Sequence, residues 1–378
     1  MWQKKLLAIL CGITIAAVLF ATLWPFDFFR ANGVSWLPGG YGIRFAGAGL
    51  ILGDAPLRAG GPESNTCCSL EILLRPAGID SLHTILSIYV PSNPKQLLVR
   101  QLTDGLLVWH DFMDARNGLN TAKLRVEHVF QPGELLLLTM TSGPNGTIVY
   151  TNGNQRMVFP TFTIFRNDFA GQVILGTSPV RYDPWPGEVY GVAVYSKELT
   201  PTEVLHHYRG WTEKRGSDPP DLEGAVARYN FTEGTGRKIH NRMAYGPDLE
   251  IPKRFDVPHK PFLQSPAKHF EASWSYVHDG LLNIAGFVPV GFLLCAYWGW
   301  TRNRRVAILC AILAGGVLSF TIEVLQAYVP QRDSGVTDIF TNTLGAALGA
   351  ILAGPGIVWA ILGRTQSSTA HVDSARST

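Results

Sequence analysis

Two rhythms divide the chain. Four long apolar runs, Leu6 to Trp24, Leu281 to Trp300, Val306 to Val329 and Phe340 to Leu362, contrast with a middle stretch where short apolar segments alternate with turns. The first run is uncharged over 19 residues, and all four come close to the ~20 residues a helix needs to cross a bilayer. The pattern predicts four transmembrane helices, one before the middle stretch and three after it. Lys4 and Lys5 precede the first run, Arg302, Arg304 and Arg305 separate the second from the third, and Arg364 follows the fourth. Basic loops stay in the cytoplasm, so both termini are expected there and the middle stretch across the membrane. A cleaved leader is the competing reading of the first run. Against it, no small-x-small cleavage site is evident, and Trp24-Pro25-Phe26 reads as an interfacial anchor.

In the middle stretch, YGIRFAGAGLIL, CSLEILLRP, TILSIYV, KQLLVRQL, GLLVWHDF, LLLLTMT, GTIVYTNGNQRMVF and QVILGT read as short strands. GPNG, NGN and PSNP punctuate them as turns. Many short strands at regular spacing predict an antiparallel sandwich or barrel. One helix is expected in KELTPTEVLHHYRGW, with Thr200 as its cap, Pro201 at its first position and Glu203 completing a capping box. His206 and His207 on that helix are expected to be solvated.

Composition sharpens the membrane reading. Charged residues make up 16% of the chain and hydrophobic ones 46%, against about 25% charged in soluble domains. The net charge of +3 and the lack of a long basic run argue against nucleic acid as a partner. Cys11, Cys67, Cys68, Cys295 and Cys310 suggest neither a disulfide framework nor spaced metal ligands.

Polar residues inside the apolar runs form a pattern of their own. Asp279 and Asn283 are four apart, Glu323 and Gln326 three apart, and Asp338 and Asn342 four apart. Each pair therefore shares a helix face, and all three lie toward the non-cytoplasmic ends. A carboxylate in hydrocarbon costs about 2.5–3.5 kcal/mol even on the lenient insertion scale, so Glu323 is expected to face the bundle interior, protonated or paired. Arg332, beside Asp333 in the short connecting loop, is its nearest cation in sequence. Gly345 and Gly349 would let the last helix approach a neighbour closely.

These residues carry a resemblance. Asp279, Asn283, Phe287, Pro289 and Gly291, then Glu323 and Gln326, Arg332 and Asp333, and Asp338, Asn342, Gly345 and Gly349 resemble the VanZ-like membrane family in order and spacing. WPFDFF after the first run fits as well. The resemblance implies a four-helix transmembrane bundle in a bacterial cytoplasmic membrane. It departs in the long segment between the first two spans. That segment, through CSLEILLRPAG, GTIVYTNGNQRM, QVILGT and PGEVYGVAVYSKELTPTEVLHHY, resembles a laminin G-like or concanavalin A-like jelly roll. AVARYNFTEGTGRKIHN resembles a strand and turn that commonly opens such domains and here closes one. The expected organisation is a transmembrane helix in 1–29, an exported sandwich in 30–262, a linker in 263–277, a VanZ-like membrane domain in 278–363 and a disordered cytoplasmic tail in 364–378.

The resemblance implies that the sandwich binds an envelope glycan or a surface protein; Trp109, Tyr182 and Trp185 are aromatics able to stack on sugar rings, and core or loop packing is the competing reading of each. The paired carboxylates of related glucanases have no counterpart, since no E-x-D-x-x-E occurs, and no catalytic residue is assigned. Calcium in the sandwich is an open expectation and no other cofactor is implied. In the membrane domain, Asp279, Asn283, Glu323, Gln326, Arg332, Asp333, Asp338 and Asn342 are expected to form a polar cluster for a lipid-linked or cell-wall head group. The alternative is an enzyme or carrier for such a precursor, in a family whose name-giving member is associated with glycopeptide resistance.

Overall fold

The computed structural model describes residues 2–58, 67–114, 118–213, 222–265 and 274–354. The chain separates into a β-sandwich unit, Phe29–Lys260, and a discontinuous helical unit, Met1–Phe28 with Pro261–Thr378.

Two eight-stranded sheets build the sandwich unit. The first runs in the order β1 (Val34–Trp36), β2 (Ile43–Phe45), β13 (Gly187–Tyr195), β4 (Cys68–Pro76), β9 (Leu136–Gly143), β10 (Gly146–Thr151), β11 (Asn154–Phe159), with β14 (Ala225–Tyr229) also on β13. The second runs β15 (Lys238–Ile239), β16 (Leu249–Glu250), β3 (Ile51–Gly53), β12 (Gln172–Leu175), β5 (Leu82–Val90), β6 (Asn93–Leu102), β7 (Gly105–Asp114), β8 (Gly118–Val126). Neighbouring strands pair antiparallel, as in β4 with β9 and β6 with β7. The segment AVARY forms β14, which shares an edge of β13 with β2.

Leu70, Ile72 and Leu74 of β4 enter the core between the sheets with Leu97, Val99, Leu106 and Val108. The opposite face of β4 is buried too, because α2 (Pro201–Glu213) covers it and packs Val204 and Trp211 with Leu73, Leu137 and Tyr195. The capping box forms as read: the Glu203 amide donates to Thr200 Oγ1 at 3.3 Å, and the Thr200 amide donates to Glu203 Oε2 at 2.7 Å. The expectation that both histidines of α2 are solvated fails at His207, which is only 2% exposed. Its Nδ1 lies 3.1 Å from Glu71 Oε1, and Glu71 also accepts from Tyr195 Oη at 3.1 Å and Trp211 Nε1 at 3.0 Å. The Arg228 guanidinium sits 3.9 Å from the Trp211 ring centroid. A carboxylate on the covered face of β4 needs donors, and α2 supplies two of them from one face of the helix.

The outer face of the second sheet carries a smaller apolar cluster in which Phe255 and Val257 pack with Leu50, Tyr89 and Ile174. Nearby, Arg100 pairs with Asp183 at 2.6 Å, both buried, and Thr84 Oγ1 donates to the same carboxylate at 2.7 Å. Burial pushes the Asp183 carboxyl up despite these partners.

The helical unit holds α1 (Trp2–Leu23), α3 (Trp274–Trp298), α4 (Arg304–Ala327) and α5 (Val336–Leu352). Trp2–Leu23, Val277–Trp298 and Arg304–Ala327 are long and apolar enough to cross a membrane, while Val336–Leu352 is shorter. The fourth run was expected to begin at Phe340. Its helix begins a turn earlier, because Val336, Thr337 and Asp338 form the first turn and place an acid at the positive end of the helix. Residues 355–362 of that run, and the tail expected in 364–378, lie outside the described residues.

Glycine sets the contact of α3 with α5. A Cβ on Gly345 would stand 2.3 Å from Ile284 O, on Gly349 1.9 Å from Val288 O, and on Gly291 1.9 Å from Ala346 O. The two backbones touch through reciprocal small residues, as expected where helices associate by packing in lipid.

Candidate functional site

The ends of α1 and α4, the starts of α3 and α5 and the loop 328–335 surround an open cavity of about 760 Å³. Of the eight polar residues expected to cluster, Asp279, Asn283, Gln326, Arg332, Asp333 and Asp338 line it. Glu323 and Asn342 lie behind the wall, 1% and 4% exposed. The residues missed from sequence are Thr22, Gln264, Ser265, Gln331, Ser334 and Thr337, which also line the cavity. Thr22 sits in a helix without a polar partner three or four positions away that would mark a face, Gln331 and Ser334 lie in a loop with no periodic signal, and a parallel bridge pairs Gln264 with Gly335.

Several polar groups of the site have specific partners. Glu323 Oε2 accepts from the Gly335 amide at 2.8 Å. Gly335 precedes the first turn of α5, so the carboxylate caps a helix whose first N–H groups lack intrahelical acceptors. Asn283 Nδ2 donates to Asp338 Oδ1 at 2.8 Å, joining α3 to α5, and Asn342 Nδ2 donates to Ser319 Oγ at 3.0 Å, joining α5 to α4. Asp279 and Asp333 are exposed.

The pairing expected for Arg332 is corrected. Among the described residues it makes no ion pair with Glu323 or another acid; its Nε donates to Trp24 O at 3.0 Å and its Nη2 to Ala21 O at 3.2 Å. Gln326 Nε2 joins them by donating to Thr22 O at 3.0 Å. The final carbonyls of α1 have no intrahelical donors and carry the negative end of the helix dipole, so a cation beside them is favourable. Separation along the sequence gave no hint of this contact, which spans more than 300 positions.

In the sandwich, the three aromatics separate. Trp185 is wholly buried, with Nε1 donating to Gln101 Oε1 at 2.7 Å, so it belongs to the core and cannot stack on a ligand. Tyr182 is half-buried and meets Phe255 edge-on at 5.6 Å. Trp109 is half-buried, with Lys123 Nζ 4.0 Å and Lys95 Nζ 5.0 Å from its ring centroid. Cys11, Cys295 and Cys310 are free thiols.

The apolar helices define a membrane protein, and the same chain carries a jelly-roll β-sandwich. Its C-terminal region, residues 236–359, matches the model of the VanZ/LLP1 family, a stretch that includes α3, α4 and α5. No curated protein matches the chain. Among solved structures, a candidate carbohydrate-binding protein from Bacteroides ovatus is 15% identical with a TM-score of 0.38, over 59% of this chain and 60% of that one. A heptameric SAP-like pentraxin from Limulus polyphemus is 14% identical with a TM-score of 0.32, over 59% and 95%. Domain 4 of the arabinanase AbnA from Geobacillus stearothermophilus, solved with arabinotriose, is 16% identical with a TM-score of 0.35, over 47% and 85%.

Proposed function

We propose that this is a multi-pass binding protein of the bacterial cell envelope. Four spans, α5 among them, hold it in the cytoplasmic membrane with both termini inside. The sandwich, inserted after the first span, lies on the outer side and binds a surface glycan or protein. The helical cavity receives the polar head group of a membrane-embedded molecule, lipid-linked or derived from the cell wall. The observation that carries this reading is the cavity itself: carboxylates and amides from three helices converge on one open space at a helix end, and ionisable groups there are expensive unless they have work to do. The basic residues at the opposite helix ends support the orientation. In the sandwich, Trp109 remains the aromatic with a ring at the surface and two lysines beside it.

The full chain, reconstituted in nanodiscs of total bacterial lipid, tests the reading. Native mass spectrometry is expected to show a polar lipid retained by the wild type and released by Asp338→Ala, which removes the acceptor for Asn283. Equal retention by both would refute the head-group site. On an array of surface polysaccharides and peptidoglycan fragments, the same particles are expected to bind a defined glycan and to lose it with Trp109→Ala. An empty array would leave a protein as the partner of the sandwich.

A further inference from the structure

We propose that a pocket on the outer face of the first sheet binds a carboxylated sugar. The inference rests on the glycan reading above and adds a second site, on the sheet that does not carry Trp109, with its own ligand chemistry. Arg44 of β2, Glu188 of β13 and Arg75 of β4 are direct cross-strand neighbours. Ile43, Phe45, Leu74 and Val189 beside them enter the core between the sheets, so the three charges stand in a row on the opposite face. Next to that row the turn 37–42 brings Tyr41 to Tyr190, with ring centroids 5.6 Å apart. The Gly42 amide donates to Phe231 O at 2.8 Å and the Leu37 amide donates to Gly42 O at 3.0 Å, which fixes the turn. Gly42 has φ +94°, and a Cβ there would stand 2.8 Å from the Tyr190 ring, so glycine is what lets the two tyrosines meet. The five side chains line a pocket of about 370 Å³, within the usual range for small-ligand sites.

The charges are arranged for an anion. Glu188 Oε1 accepts from Arg44 Nε at 3.1 Å and Nη2 at 2.8 Å, and Oε2 accepts from Arg75 Nη1 at 3.0 Å and Tyr190 Oη at 2.5 Å. Four donors fill the places a carboxylate offers. Burial pushes the Glu188 carboxyl up, but the bonds from Tyr190 and Arg44 outweigh it and hold the group below its ordinary value. The carboxylate therefore keeps its charge and has nothing left to give a ligand. The arginines do. Arg44 Nη1 and Arg75 Nη2 make no hydrogen bond or ion pair among the described residues. Two guanidiniums against one carboxylate leave the charged lining at a single positive charge. One ligand carboxylate balances it and accepts from both guanidiniums, whereas a phosphate monoester brings roughly −1.5 to −2. Tyr41 is half-buried and lines the same pocket, so its ring can take the apolar C–H face of a pyranose while its neighbours take the acid.

The test uses the full chain in phosphatidylcholine nanodiscs, with tetragalacturonate and its fully methyl-esterified form as probes. The two share their sugar rings and differ in the carboxylates. Isothermal titration is expected to show the acid bound about tenfold more tightly than the ester, the scale of a charge-assisted pair. Arg44→Gln, at an exposed position, is expected to bring that ratio severalfold toward one with an unchanged thermal midpoint, and Tyr41→Leu to weaken acid and ester alike. Equal binding of the two probes by the wild type, or an unchanged ratio in Arg44→Gln, overturns the carboxylate inference and leaves the glycan reading in place. Displacement of the acid by an equal concentration of acetate overturns the assignment to a sugar. Failure to bind either probe overturns the pocket, and the glycan reading falls with it only if the array of surface polysaccharides is empty as well.

Discussion

Glu71 in the sandwich and Glu323 in the helical unit are both almost wholly buried, yet their surroundings differ. Glu71 is enclosed by side-chain donors from β13 and α2, with His207, Tyr195 and Trp211 all in contact. Glu323 is met by the backbone amide of Gly335 and the side chain of Ser334, just behind a cavity wall. The sandwich thus uses its carboxylate to fasten a helix onto a sheet, whereas the helical unit uses its own to start one helix from another and leaves neighbouring polar groups facing open space. Burial by itself does not mark a functional acid.

Substitutions can break this contrast. The largest effect is expected for Glu71→Ala, which removes the acceptor for three buried donors and should cost about 3–5 kcal/mol, read as a lowered unfolding midpoint of the sandwich. A cost below about 1 kcal/mol would mean that α2 is held by its apolar contacts alone. Gly349→Ala places a Cβ 1.9 Å from Val288 O and should cost about 1–3 kcal/mol through forced separation of α3 from α5, measured by thermal denaturation in detergent. Glu323→Gln keeps an oxygen for the Gly335 amide and should cost less than about 1 kcal/mol, while Glu323→Ala orphans that amide and should cost about 1–3 kcal/mol. Equal values for the two variants would remove the capping role.

The smallest effect concerns pH. Partial burial pushes the Glu203 carboxyl up, but Lys197 and the bonds from Thr200 outweigh it and hold the group at about 2. A carboxyl depressed in the folded state adds stability above its ordinary value near 4.5, and that stability is lost as pH falls toward 2. Because the pair is partly exposed, the loss should stay under about 1 kcal/mol. Glu203→Gln should flatten this part of the stability profile, and an unchanged slope would assign the acid sensitivity to other groups.

Much of the architecture could be read from spacing. Short apolar segments with turn residues between them identified the strands, and Thr200, Pro201 and Glu203 located the start of α2. Of the three helix pairs beginning at Asp279, Glu323 and Asp338, Asp279, Asn283, Gln326 and Asp338 line the cavity while Glu323 and Asn342 do not; residues three or four apart share a face whatever the fold. Contacts between distant segments were not legible. Nothing local in HHY distinguishes solvated His206 from His207, whose partner Glu71 lies 136 positions away. Arg332 was matched to nearby acids because proximity in sequence was the available guide, whereas its partners are carbonyls, which every residue has and no pattern marks. Trp185 and Trp109 were alike as aromatics able to stack on sugar rings, and core packing alone separated them.

The polar clasp on α1 has a consequence in time. Thr22 and its donor Gln326 are 304 positions apart, and Ala21 waits 311 positions for Arg332. At roughly 5–20 residues per second of synthesis, the last turn of α1 spends on the order of 15–60 s without the side chains that finish it. During that interval the whole sandwich is made, and helix α1 must keep its place by lipid contact and its own hydrogen bonds. The first helix is therefore complete long before the residues that hold its last turn exist.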